Sequence, residues 1–197
     1  IRGVMHNGSR SAANGGSYHV ELEYITMATT GNATDFGDMP EARSGVSGSS
    51  NGIRGIFWAG NHNATPAQIK EMEYITIAST GNSADFGNMV RIVNDHSSCG
   101  NADRNIAAGG YYGSLQDTIE YCNPASTGNT SDFGNLITAQ YMNQCAETAI
   151  RGIITGGYGR VAHENTIQYV TFASTGNGTD FGNMTIGRYS HTAGSGA

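Results

Sequence analysis

The sequence predicts an all-β fold, a β-propeller or propeller-like array of four repeats of about 48 residues each. Three observations carry this. The Asp of a D-F-G triplet recurs at Asp35, Asp85, Asp132 and Asp180, in steps of 50, 47 and 48 residues, and Tyr24, Tyr74, Tyr121 and Tyr169 recur in the same steps. An Arg heads an apolar run at Arg2, Arg54, Arg104 and Arg151. The segments between these marks are short, β-branched or aromatic, and punctuated by Gly, which describes strands. Self-similarity at such a period is the mark of a repeat architecture.

The repeats divide the chain at 1–52, 53–102, 103–149 and 150–197 as a single repeat domain. The first strand of each is the Arg-led run, as in "IRGIFWAG" and "IRGIITGGYG", ended by Ala-Gly or Gly-Gly. The second carries the Tyr, as in "VELEYITMA" and "TIQYVTFA", with apolar residues on both faces, so it is expected to be covered on both sides. A third segment follows D-F-G, as in "NMTIGRYSHTAG", and leads to the next Arg run. Only "ATPAQIKEM" hints at a helix. A small twisted sheet hides both faces only by stacking on neighbouring sheets, which is what a row of propeller blades does.

Between second and third strands lies a nonapeptide written four times: "TTGNATDFG", "STGNSADFG", "STGNTSDFG" and "STGNGTDFG". Thr-Gly-Asn is turn chemistry, because Gly and Asn tolerate positive φ and the polar side chains bond the local backbone. The Asp is expected to bind backbone N–H groups of the turn, and Phe36, Phe86, Phe133 and Phe181 to plug the space between sheets. Four copies of Arg and Asp in step suggest structural bonds, either Arg–Asp pairs or separate anchors to backbone groups. A calcium loop built on Asn32, Asp35 and Asp38 lacks the acidic spacing and terminal Glu of an EF-hand. A kinase reading of D-F-G fails for want of a Gly-rich loop, a strand Lys or a catalytic-loop Asp.

The order of these features resembles a kelch repeat: Arg, a strand ending in Gly-Gly, a Tyr strand, a polar turn, then an aromatic, with Phe where kelch blades usually carry Trp. The "TGNxxDFGN" wording is similar to repeats of marine bacteriophage structural and tail-fibre proteins. That resemblance implies a virion or adhesive role and brings no catalytic residue with it.

Composition agrees with a displayed, non-enzymatic chain. Ten basic residues stand against sixteen acidic ones, a net charge of −6, so no footprint for nucleic acid or anionic lipid exists. No apolar run is long enough for membrane insertion as a helix. The chain begins at Ile1 without an initiator Met or signal pattern and reads as a fragment or processed product. Cys99, Cys122 and Cys145 show no metal-ligand spacing and no disulfide framework; Cys99 and Cys145 are expected to be small half-buried strand residues. His96 and His191 share a register, but Val46 and Asn143 take that place elsewhere, so they are expected to be partly exposed strand residues rather than a ligand ring. Asn32, Asn63, Asn129 and Asn177 open N-x-[ST] sequons, three of them inside the turn. Trp58, the only Trp, is expected to pack between blades. No Ser, His and Asp set, cofactor or metal site emerges.

Recognition is expected where the repeats disagree, in the loops after the Arg strand, which hold Tyr18, His19, His62, Tyr111, Tyr112, Tyr158 and His163. The function expected is that of a structural and adhesion protein on a virion tail fibre or appendage, or on a cell exterior. Its partners would be other structural subunits, copies of itself as a homo-oligomer, or a host-surface glycan or protein. The alternative is a glycan-binding lectin with sites in the same loops.

Overall fold

The computed structural model describes residues 1–9, 17–62 and 68–195, and every regular element among them is a β-strand. The chain is therefore all-β: one seven-stranded antiparallel sheet, whose two parts are called sheets 1 and 2 below, then two four-stranded sheets, called sheets 3 and 4, and a two-stranded ribbon. Sheet 1 is β1 (Arg2–His6), β2 (His19–Thr26) and β3 (Thr34–Ser44). Sheet 2 is β4 (Ser47–Ser50), β5 (Arg54–His62), β6 (Gln68–Thr76) and β7 (Ala84–Asn88), joined to sheet 1 where Arg43 and Ser44 pair with His62 and Asn61. Sheet 3 is β8 (Ser97–Gly100), β9 (Asn105–Ala108), β12 (Thr118–Cys122) and β13 (Ser131–Asn135). A two-stranded ribbon, β10 (Tyr111–Tyr112) with β11 (Ser114–Leu115), stands between β9 and β12. Sheet 4 is β14 (Gln144–Glu147), β15 (Arg151–Thr155), β16 (Thr166–Thr171) and β17 (Thr179–Asn183).

The sheets are offset from the sequence repeats. Positions 52, 102 and 149 fall inside hairpins, because the short polar strand closing each repeat pairs with the Arg strand of the next. Asx and Thr turns make these hairpins tight: Asn51 Oδ1 accepts from the N–H of Arg54 at 2.8 Å, Asn101 Oδ1 from Arg104 at 2.9 Å, and Thr148 Oγ1 from Arg151 at 3.1 Å. Sheet 1, with no preceding strand, has three strands. The helix hinted at by "ATPAQIKEM" is overturned where it is described: Gln68–Met72 is strand, since β5 supplies a pairing edge for it. Residues 64–67 lie outside the described residues.

In every sheet the D-F-G strand bulges at Phe. Leu22 faces Gly37 while Glu23 faces Asp35, leaving Phe36 as the extra residue, and the same shift recurs in the other three sheets. The bulge turns the ring out of the ladder. Phe36, Phe86 and Phe133 are buried, each edge-on to its sheet's Tyr at 6.0, 6.0 and 5.8 Å between centroids. Over each Tyr lies the repeat's Arg, at 4.7, 4.7, 4.7 and 4.3 Å for Arg2, Arg54, Arg104 and Arg151, a cation–π layer.

Neighbouring sheets are held by one clasp used three times. The Gly N–H of each Thr-Gly-Asn turn donates to the Phe carbonyl of the preceding sheet: Gly81 to Phe36, Gly128 to Phe86 and Gly176 to Phe133, all at 2.7 Å. The turn's Asn Oδ1 accepts from that strand in return, Asn82 from Asp38 at 3.0 Å, Asn129 from Asn88 at 2.9 Å and Asn177 from Asn135 at 3.0 Å. Between the clasps lie three apolar clusters, one at each junction; Trp58 is fully buried between sheets 2 and 3 and donates from Nε1 to Ser49 Oγ at 2.8 Å.

Two expectations about buried residues are corrected. Cys99 and Cys145 form a disulfide between the first strands of sheets 3 and 4, with Cα atoms 5.8 Å apart. Their places in the two hairpins differ by one residue. Cys99 pairs with Ile106, two residues after Arg104, and Cys145 with Ile154, three after Arg151, so the pleat aims the two thiols from opposite faces into the shared junction. A link closing 46 residues contributes roughly 2–4 kcal/mol. Cys122 remains free and buried, its thiol pushed up to about 12 by burial.

His96 is buried, not partly exposed, and neither ring nitrogen has a partner. It lies between the left-handed Asp95 and the start of β8, close against Gly110, where an added Cβ would come within 3.0 Å of the His96 Cβ. Burial lowers its pKa from 6.5 to about 4. The native state thus refuses a proton that the unfolded chain accepts, so this contribution is intact above pH 6.5 and is lost as pH falls toward 4. A His96→Asn variant is expected to lose less stability than the native chain over that interval, by up to about 3 kcal/mol, in denaturant titrations repeated at each pH. Equal pH slopes would contradict the assignment. His191, in the same register, is partly exposed and shares a 2.9 Å hydrogen bond with Thr155 Oγ1.

Candidate binding face

The repeated charges belong to the scaffold. Arg2, Arg54 and Arg104 do not reach Asp35, Asp85, Asp132 or Asp180; each Nη1 donates to a backbone carbonyl of the following sheet, on Ile77, Pro124 and Phe172 at 3.0, 3.3 and 2.8 Å. Arg151, on the last of the described sheets, lies over Tyr169. The four Asp side chains are exposed, and those of Asp85 and Asp180 accept from the N–H of Gly87 and Gly182 at 3.1 Å. No group of three or more His, Cys, Asp and Glu able to hold a metal ion forms among the described residues.

The loops after the Arg strands behave differently in the two halves of the chain. Tyr18 bridges Ser9, His19 Nδ1 stands 3.0 Å from Glu21 Oε2, and His62 Nδ1 stands 3.2 Å from Glu41 Oε2. The Glu21 carboxyl is held below its usual range by its own backbone N–H and then by His19. Both His residues are thus engaged with local carboxylates on sheets 1 and 2. Residues 10–16 and 63–67, which complete these loops, lie outside the described residues.

Sheets 3 and 4 instead present a row of aromatic rings. The double glycines Gly109-Gly110 and Gly156-Gly157 all have positive φ, and they swing the chain back over its own sheet. A Cβ at Gly157 would lie 3.1 Å from the Tyr141 carbonyl, so only Gly permits the approach. Tyr158 and Tyr141 then exchange backbone hydrogen bonds at 2.8 and 3.2 Å, as Tyr111 and Asn94 do at 2.9 and 3.2 Å. The rings follow in order: Tyr111 is 5.6 Å from Tyr141, Tyr141 is 5.5 Å from Tyr158, and Tyr158 is 5.7 Å from Tyr189. His163 closes the end, 4.7 Å from Tyr189 and 5.5 Å from Tyr158. Tyr111, Tyr158, His163 and Tyr189 are exposed. Tyr112 is exposed on the same ribbon but makes no ring contact among the described residues.

Of the seven loop residues singled out from the sequence, three join the row: Tyr111, Tyr158 and His163. Tyr18, His19 and His62 sit on the other sheets. Tyr141 and Tyr189 escaped sequence reasoning, although their spacing of 48 residues equals the step from Asp132 to Asp180 and could have revealed them. A row of tilted and edge-on rings, backed by main-chain bonds and bordered by Arg188, Gln116 and Glu164, offers flat apolar faces with polar groups at the margin. That suits stacking on a planar or ring-shaped ligand, or docking a protein surface. No family model matches the chain, and no curated protein matches it.

Proposed function

We propose that this chain is a non-enzymatic attachment module, a kelch-like, propeller-like repeat array displayed on a virion appendage or a cell exterior, that holds its target through the aromatic row. The observation carrying this reading is the row of rings Tyr111, Tyr141, Tyr158 and Tyr189, exposed except for the half-buried Tyr141, capped by His163 and fixed by backbone bonds. Rigid aromatic side chains bring contact area at little entropic cost, which is why they anchor binding surfaces. The Cys99–Cys145 disulfide and the scarcity of charge favour an exterior setting. A surface glycan is the second reading, favoured by the edge-accessible ring faces and the Arg188 and Glu164 margin, since sugars are held by stacking plus hydrogen bonds.

The test is a triple change, Tyr111→Ala with Tyr158→Ala and Tyr189→Ala, in protein shown to melt as the native chain does. Binding on a glycan array and to target cells is expected to fall at least about tenfold, about 1.4 kcal/mol, with Tyr112→Ala near native. Native attachment by the triple variant would refute the assignment. So would loss of attachment in a folded Asp132→Ala variant, which would move the site to the repeated turn.

A further inference from the structure

Among the described residues the clasp between sheets is closed three times and left half-made on sheet 4 and on sheet 1. Sheet 4 keeps its receiving half. Gly182 holds φ +139, as Gly37, Gly87 and Gly134 do at +142, +136 and +148. Those three lie against the Gly of the following turn, whereas a Cβ on Gly182 would meet nothing within 4 Å. Phe181 is 58% exposed where its three counterparts are 1–2% exposed, and Met184 is half-buried where Met39, Met89 and Leu136 are buried.

Sheet 1 keeps the inserting half. Among the described residues Gly31 N–H makes no backbone hydrogen bond to a Phe carbonyl, whereas Gly81, Gly128 and Gly176 each make one. The positions that in sheet 2 press Phe57 and Ile75 onto the preceding sheet, 7% and 3% exposed, are here Met5 and Ile25, 41% and 37% exposed, with Met27 at 65%. Among the described residues the first edge of β1 is unpaired as well.

We infer that sheet 4 of one copy of this chain receives sheet 1 of a second copy, repeating the clasp between molecules. The halves are already complementary, because the same backbone geometry and the same apolar classes make the three closed junctions, and within one chain Phe181 and Met27 both stay exposed, so the two half-clasps do not fill each other. By the pattern of those junctions, Gly31 N–H donates to the Phe181 carbonyl and Ala33 N–H to the Asn183 carbonyl. Asn183 N–H donates to Asn32 Oδ1. Arg151, whose counterparts all reach a carbonyl on the following sheet, donates to that of Met27. The contact is heterologous, head to tail, so it propagates unless the array curves enough to close a ring.

Phe181→Glu and Met27→Glu each place a charge on one open face at a position exposed in the single chain, so folding is spared. Sedimentation of the native chain over a wide dilution series is expected to show a mass that climbs with concentration through dimers and larger species. Each variant alone is expected to stay monomeric, its association weakened at least about tenfold. Mixed in equal amounts, the two are expected to stop at the mass of two chains, because each supplies the face the other lacks. A native chain that is monomeric throughout, or a mixture that does not pair, overturns the proposal. A monomer whose melting temperature falls in both variants also overturns it, because that result places the clasp within one chain.

Discussion

An Arg43→Met variant is expected to unfold with about 3–5 kcal/mol less stability than the native chain, the penalty for leaving one member of a buried ion pair behind. Arg43 stands on β3 of sheet 1 and Glu73 on β6 of sheet 2, with Nη2 3.4 Å from Oε1 and both side chains almost wholly buried. Arg43 Nη1 also donates to the Glu71 carbonyl at 3.0 Å, while its Nε has no partner. Burial lowers the Arg43 pKa and raises that of Glu73, outweighing in each case the attraction between them. The pair therefore sits in a place that disfavours charge, and its value lies in mutual compensation. A double variant, Arg43→Met with Glu73→Leu, is expected to recover most of the loss, since a buried pair replaced by apolar side chains of similar volume is often neutral. Denaturant midpoints for the four proteins of this cycle measure the coupling. Equal and additive losses would mean that the two charges act separately.

This pair also marks where the sequence stops being informative. What every sheet needs recurs in every repeat, so the all-β class, the Arg, Tyr and D-F-G strands and the Thr-Gly-Asn turn could be read from one period. Arg43 has Val93, Gln140 and Arg188 at its equivalent positions, and a buried charge that occurs once cannot be told from a solvated one without its partner. The disulfide was hidden for a related reason. A one-residue offset in pairing decides whether two strand thiols face each other or face apart, and register is a property of two sheets. The hairpins joining repeats were concealed by the choice of phase, since a repeat can be cut anywhere and the Arg is only its most visible residue. The aromatic row was half legible. Tyr111, Tyr158 and His163 lie in the variable loops, but Tyr141 and Tyr189 come from the segments leading out of the D-F-G strands, and only folding brings the two sets together.

Gly134→Ala is expected to be far more damaging than the identical change at Gly182, and the difference isolates the clasp. Both residues hold positive φ near the end of a D-F-G strand, +148 and +139, so both variants bear the same backbone strain of about 1–2 kcal/mol. At Gly134 the new methyl also runs into the Gly176 carbonyl and comes within 2.9 Å of the Asn177 nitrogen. Relief requires sheet 4 to back away, breaking the hydrogen bonds from Gly176 to Phe133 and from Asn135 to Asn177 and loosening the packing of Phe133. Overpacking costs roughly 1–3 kcal/mol and each of the two lost hydrogen bonds about 0.5–1.5 kcal/mol, so with the strain Gly134→Ala should total about 3–8 kcal/mol. Gly182 faces open space, and its variant should stop at the strain. Thermal melts in dilute solution, where intermolecular contacts are absent, make the comparison. If the two variants melt together, the turn against the Phe strand is not what holds neighbouring sheets, and stability has to be sought in the apolar clusters and the Arg anchors alone. If they separate by about 2 kcal/mol or more, the repeated nonapeptide is the joint of the array, one for each junction it spans.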